Sequence, residues 1–179
     1  KPTNLSNQLL VSTHQIEEPF QKSVIYILDH CHATGATGLI INKPFQELNY
    51  LQLREHLDNS DNKISIPPRL KDHAVLLGGP IEPNKGHVLY HKPKSTDIIA
   101  SASQSSLAHL LEGNHDYEFL VALGCCQWQP GQLENEIAHN DWQVTEPSPS
   151  IIFCETIAAF FIVVRTYSLL FLSAVLFFG

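Results

Sequence analysis

Basic residues are scarce in this chain. Its 179 residues hold 11 lysines and arginines against 18 aspartates and glutamates, a formal net charge of -7. The basic side chains stand singly except around Lys92 and Lys94. Phosphate backbones are bound by basic faces that release counterions, so generic nucleic-acid binding is disfavoured. The four cysteines, Cys31, Cys125, Cys126 and Cys154, have no C-x-x-C spacing and two of them are adjacent. That argues against a structural zinc site and a secreted disulfide framework, and it fits a reducing compartment. A secretory pattern is also lacking, because Lys1 to Gln8 is polar and the next apolar run is too short for a signal peptide. No internal repeat and no low-complexity linker divides the chain. Ten histidines are present, and they read as ordinary surface and core residues rather than as an acid-sensing set.

What the chain does contain is the material of one folded core. The apolar fraction is 44% and the charged fraction 16%, too greasy for disorder and too interrupted for a polytopic membrane protein. Short apolar runs at Leu9–Ser12 and Val24–Asp29 read as strands, joined by a surface loop through Glu17, Glu18, Pro19 and Phe20. Gly35 and Gly38 flank a turn into a third strand, Leu39 to Ile41, which ends at Asn42, Lys43 and Pro44. Asn49 and Gln52 have capping-box spacing ahead of a short helix with Leu53 and Leu57 on one face. Ala74–Leu77 and His87–Tyr90 read as strands that pair as a hairpin across Pro83, Asn84, Lys85 and Gly86. Ser103 is the expected N-cap of a helix that buries Leu107, Leu110 and Leu111 and stops at Gly113. Phe119–Leu123 is the most hydrophobic strand, with Gly124, Cys125 and Cys126 at its end. Pro130 and Gly131 then start a helix with Leu133 and Ile137 inward and Glu134 outward. Ile151–Cys154 reads as a last strand.

The segments from Gly35 to Pro44, Gly78-Gly79-Pro80, and Val121 through Trp128 to Gly131-Gln132-Leu133-Glu134 and Trp142 form an ordered set. Together with Leu9-Leu10-Val11, Phe20, Ser23-Val24 and His30, their order and spacing resemble the bacterial AlgH/YqgE family over roughly residues 5 to 156. The resemblance implies a single α+β domain over 1–156, made of bent, bifurcated, mostly antiparallel sheets with a few packed helices, in a cytoplasmic protein. It supplies no reaction, metal or cofactor. It implies a regulatory or adaptor role, acting through a protein partner on the transcription of exopolysaccharide genes. This chain departs from the family pattern in having Cys125 and Cys126 after Gly124, where an aromatic and a small residue are common. It also departs at residues 157–179, which are apolar apart from Arg165 and a few hydroxyls, where the family has a charged amphipathic helix. About 20 apolar residues suffice to cross a bilayer. A membrane-attaching tail, a shifted reading frame and a buried helix stay open as readings of that stretch. Oligomeric state is open too.

Several residues carry candidate chemistry. Cys125 or Cys126, at a strand end facing a helix N-terminus, is placed where a thiolate is stabilised, although burial is the commoner role of cysteine. An enzyme or small-ligand receptor built on them would draw on Asn42 and the glycine turns. His30 and His32 share a face of a strand, but two ligands fall short of a zinc site. Gly78 and Gly79 resemble an anion-binding turn, yet the Lys and Ser/Thr of a phosphate loop are missing and Pro80 has no N–H. Trp128 and Trp142 bracket the Gly131 helix and serve either core packing or a partner surface. The expected ligand or partner surface therefore comprises Asn42, Lys43, Gly78, Gly79, Cys125, Cys126 and Trp128, with Gln127, Gln129 and Glu134 as an exposed rim.

Overall fold

The structure is a computed structural model that describes residues 3–57 and 65–154. The stretch 157–179, and with it the apolar tail, lies outside the described residues. Among the described residues nine strands and five helices alternate in the order β1 (Leu9–Ser12), β2 (Val24–Cys31), β3 (Gly35–Ile40), β4 (Pro44–Asn49), α1 (Tyr50–Leu57), α2 (Pro68–Lys71), β5 (Ala74–Leu77), β6 (Ile81–His91), β7 (Ile99–Ser101), α3 (Gln104–Glu112), β8 (Glu118–Trp128), α4 (Gln132–Ala138), β9 (Trp142–Thr145) and α5 (Pro149–Ile152). The main path across the sheet is β4-β5-β8-β3-β2-β1-β9, and β6 and β7 branch from β8. All pairings are antiparallel except β5 with β8. This is the bifurcated, mostly antiparallel α+β arrangement that the family resemblance implies.

The fork is built into β8. Its first half pairs with β6 on one side and with β5 on the other. Gly124 then takes a φ of 75°, a left-handed value that glycine adopts at little cost, and beyond it Cys126, Gln127 and Trp128 pair with β3. Side chains alternate across a strand, so the bent β8 feeds three interiors. Phe119 and Val121 enter the core under α1, α2 and α3. Ala122 and Cys125 enter the one shared by Leu9, Val24, Tyr26 and Ile152, and Cys126 and Trp128 join Leu10, Ile25, Leu133 and Trp142.

Helix ends follow local chemistry. The Asn49 side chain accepts from Gln52 N–H, and the Gln52 side chain accepts from Asn49 N–H, both at 2.9 Å, a reciprocal cap that starts α1. Ser103 Oγ accepts from Ser106 N–H at the start of α3, and Gly113 ends that helix at φ 68°. The inward pair on α1 is Tyr50 and Leu53, whereas Leu57 is 39% exposed, so the apolar stripe stops one turn earlier than its spacing predicts.

Three further expectations are corrected. β5 and β6 form no hairpin, because Gly78 and Gly79 carry the chain tightly over β8 and leave the two strands on opposite sides of it. Pro83 to Gly86 consequently lie within β6, where the register slips between Ile81 and Gly86. Ile151 to Cys154 is not a strand. Pro149 occupies the first turn of α5, where its fixed φ suits a helix, and Ile152 N–H and Phe153 N–H donate to Ser148 and Pro149 carbonyls. Gly35 and Gly38 lie within β3 rather than in a turn ahead of it.

Candidate functional site

The glycine segments and the cysteine pair do come together, but as backbone packing. A Cβ added to Gly79 would lie 2.2 Å from the Cys125 carbonyl oxygen, and one on Gly78 would lie 2.3 Å from that of Gly124. The Gly78 carbonyl accepts from Ile40 N–H at 2.8 Å, and Cys126 Sγ lies 3.5 Å from the same oxygen. These contacts leave no room for an anion. Cys125 and Cys126 are 1% and 2% exposed and face different cores. Burial raises both thiols, and that of Cys126 is pushed up to about 12. At neutral pH its thiolate would be about one part in 10^5.

Asn42 and Lys43 are occupied elsewhere. Asn42 Oδ1 accepts from Val24 N–H and its Nδ2 donates to the Lys22 carbonyl, each at 2.8 Å, which locks the end of β3 to the start of β2. Lys43 Nζ donates to the Pro19 carbonyl and lies 3.9 Å from a Glu18 carboxylate oxygen. Neither residue lines the cavities at the end of β8.

Trp128 belongs to a different constellation. Beyond Gly124, β8 delivers Gln127 outward and Trp128 inward, and the next turn starts α4 against the Trp128 ring. Glu136 on α4 accepts from Trp128 Nε1–H and Trp142 Nε1–H through Oε2, both at 2.8 Å, while Gln132 Nε2–H donates to its Oε1 at 2.9 Å. The two indoles meet edge to face at 6.3 Å, and Phe20 sets its ring against Trp142 at 6.4 Å. Above these groups opens a cavity of about 280 Å³ that Glu17, Asp141, Gln127 and Cys126 also line. A second, more polar hollow of about 250 Å³ shares Gln127 and Trp128 and is completed by Asp29 and the Thr34–Thr37 edge of β3.

One further polar group flanks α4. Glu134 Oε1 receives His30 Nε2–H at 2.9 Å and His32 Nδ1–H at 3.1 Å. Because Leu5 N–H donates to His30 Nδ1, the neutral ring carries its proton on Nε2. Partial burial would raise the Glu134 carboxyl, but its own backbone N–H and the His32 and His30 bonds outweigh that and hold it low. Glu134 is thus a half-buried tie to β2 rather than an open rim residue. No group of three metal-ligating side chains is found among the described residues.

The sequence pattern pairs Trp128 with Trp142 across the Gly131 helix but does not mark Glu136, the residue that joins the indoles. The available signal was the spacing of Gln132 and Glu136, four apart on the helix between the two tryptophans. Glu17 and Asp141 carried no comparable signal, because they reach the cavity from separate loops.

Comparison with known proteins gives one consistent result. A family model described as AlgH-like matches residues 9–164. A UPF0301 protein of Coxiella burnetii is 39% identical over 156 residues, covering 86% of this chain and 83% of that protein. A UPF0301 protein of Photorhabdus laumondii is 34% identical over 171 residues, with 87% of each covered. Among solved structures, the AlgH protein from Pseudomonas aeruginosa superposes with a TM-score of 0.67 at 30% identity, over 86% of this chain and 83% of that one. Protein DIP2367 from Corynebacterium diphtheriae shares the fold, with a TM-score of 0.64 at 17% identity over 86% and 82% of the two chains.

Proposed function

The chain belongs to the AlgH-like family, and from that premise we propose that it is a regulatory or adaptor protein that works by holding a protein partner. In this reading it turns over no substrate, and the partner in turn acts on the transcription of exopolysaccharide genes. The observation that supports it is the acidic opening at the end of β8, where Glu17, Asp141 and exposed Gln127 surround half-buried Phe20 above the buried indoles of Trp128 and Trp142. Aromatic anchors with a polar rim are the usual composition of a binding patch. The Cys125 and Cys126 thiols, on which the alternative enzyme reading rests, are by contrast packed into two cores.

The test is affinity capture of the full chain from its own cells, followed by native mass spectrometry, using the unmodified bait and Gln127→Arg. A partner recovered in fixed stoichiometry by the first bait and lost with the second is the expected result. Identical recovery by both, or substrate turnover by the purified chain that Gln127→Arg leaves intact, overturns the proposal. The proposed compartment is the cytoplasm. No helix among the described residues is long and apolar enough to cross a membrane, and attachment through 157–179 is the alternative. Fractionation with an N-terminal epitope separates the two, since release from membranes by high salt alone eliminates an integral anchor.

A further inference from the structure

Resting on the partner-binding reading above, we propose that the cavity at the end of β8 receives an arginine side chain presented by the partner. An ionised carboxylate offers about four acceptor sites, and on Glu136 three are taken by the two indole N–H groups and the Gln132 amide. All three donors are neutral, so they orient the carboxylate without cancelling its charge and leave it one acceptor site. Two more carboxylates, Glu17 and Asp141, line the same cavity, and no basic side chain among the described residues does. The cavity is therefore a partly enclosed volume of about 280 Å³ carrying three acidic groups and the half-buried Phe20 ring, over a floor formed by the two indoles, which are 6% and 4% exposed.

That combination calls for a cation with a flat, apolar face. A guanidinium satisfies it better than an ammonium, because it stacks on aromatic rings, presents donors in a planar fork to carboxylates and is weakly hydrated. The net charge of -7 would also steer a basic segment toward it. A cavity of this size takes one side chain, so the rest of the partner would lie across Gln127 and the second hollow, which share the Trp128 wall.

The chain's two tryptophans both line the cavity, so its two indole N–H signals in a 1H–15N spectrum report on this site alone. The purified full chain is titrated with Nα-acetyl-arginine amide and, as the neutral match of equal shape, Nα-acetyl-citrulline amide. Expected are saturable shifts of both indole signals with the arginine probe, a dissociation constant of about a few millimolar, and at least about tenfold weaker binding of citrulline. Glu17→Gln combined with Asp141→Asn, which leaves the Glu136 hydrogen bonds in place, should weaken the arginine probe by about tenfold and also abolish partner capture. Equal response to both probes, or no saturable indole shift, overturns the cationic occupant while leaving partner capture by the unmodified chain to stand or fall separately. Arginine binding together with capture that survives the double substitution overturns delivery by a partner and assigns the cavity to a free guanidinium compound.

Discussion

Two cysteines at opposite extremes of environment mark what single residues can do here. Cys31 is exposed, and hydrogen bonding from the Ala33 backbone, then the Thr34 side chain and backbone, lowers its thiol. Cys125 and Cys126 are sealed between strands with their thiols raised. In pulse alkylation of the native protein read by mass spectrometry, Cys31 should label first, and Cys125 and Cys126 should stay unlabelled until denaturant is added. Rapid native labelling of Cys126 would restore the cysteine nucleophile. Glycines give a matched contrast. Gly124 and Gly131 have φ of 75° and 76°, yet an added Cβ meets the Gly79 carbonyl oxygen at 2.2 Å in the first case and nothing within 4 Å in the second. Gly131→Ala should cost only the left-handed strain of about 1 kcal/mol, and Gly124→Ala more than about 3 kcal/mol because backbone must move. Equal urea midpoints for the two variants would contradict the tight passage of Gly78 and Gly79 over β8.

At the scale of elements, the parts governed by neighbours in sequence were legible and the parts governed by distant backbone were not. The reciprocal cap at Asn49 and Gln52 and the Ser103 cap and Gly113 stop of α3 are local rules, and each holds. Ser103→Ala should accordingly lower unfolding free energy by about 1 kcal/mol, measured by urea denaturation, with an unchanged midpoint counting against the cap. The parallel pairing of Leu76 with Ala122 and Leu77 with Leu123 is another matter. Two strands with a glycine and proline turn between them look like a hairpin unless a third strand, far along the chain, is known to pass between. The same limit hid the cavity around Glu136, since nothing in the helix spacing says that Phe20 and Glu17 come to it from a distant loop. α5 was misread because a four-residue apolar run has no period of its own, and Pro149 settles it as a helix.

Over the described residues the molecule is a sheet forked at one glycine, with three cores fed by the bent β8 and an acidic opening where that strand ends. Its acid stability should depend on Glu134. That carboxyl ionises at lower pH in the folded chain than in the unfolded one, where its usual value is 4.5. The unfolded state therefore takes up its proton first, and the stabilisation is fully present above that pH and lost as pH falls through the folded value. Melting temperature against pH should thus fall less steeply below about pH 4.5 in Glu134→Gln, and superimposable acid limbs would refute the His30 and His32 tie.

The central claim is that partners engage the end of β8. Its most direct test is photo-crosslinking in living cells, with p-benzoylphenylalanine replacing Gln127 at the cavity lip or, on the other side of the fork, exposed Glu55 on α1. The account predicts one discrete crosslinked species from position 127 and none from position 55. A crosslink from position 55 with nothing at 127 would contradict it.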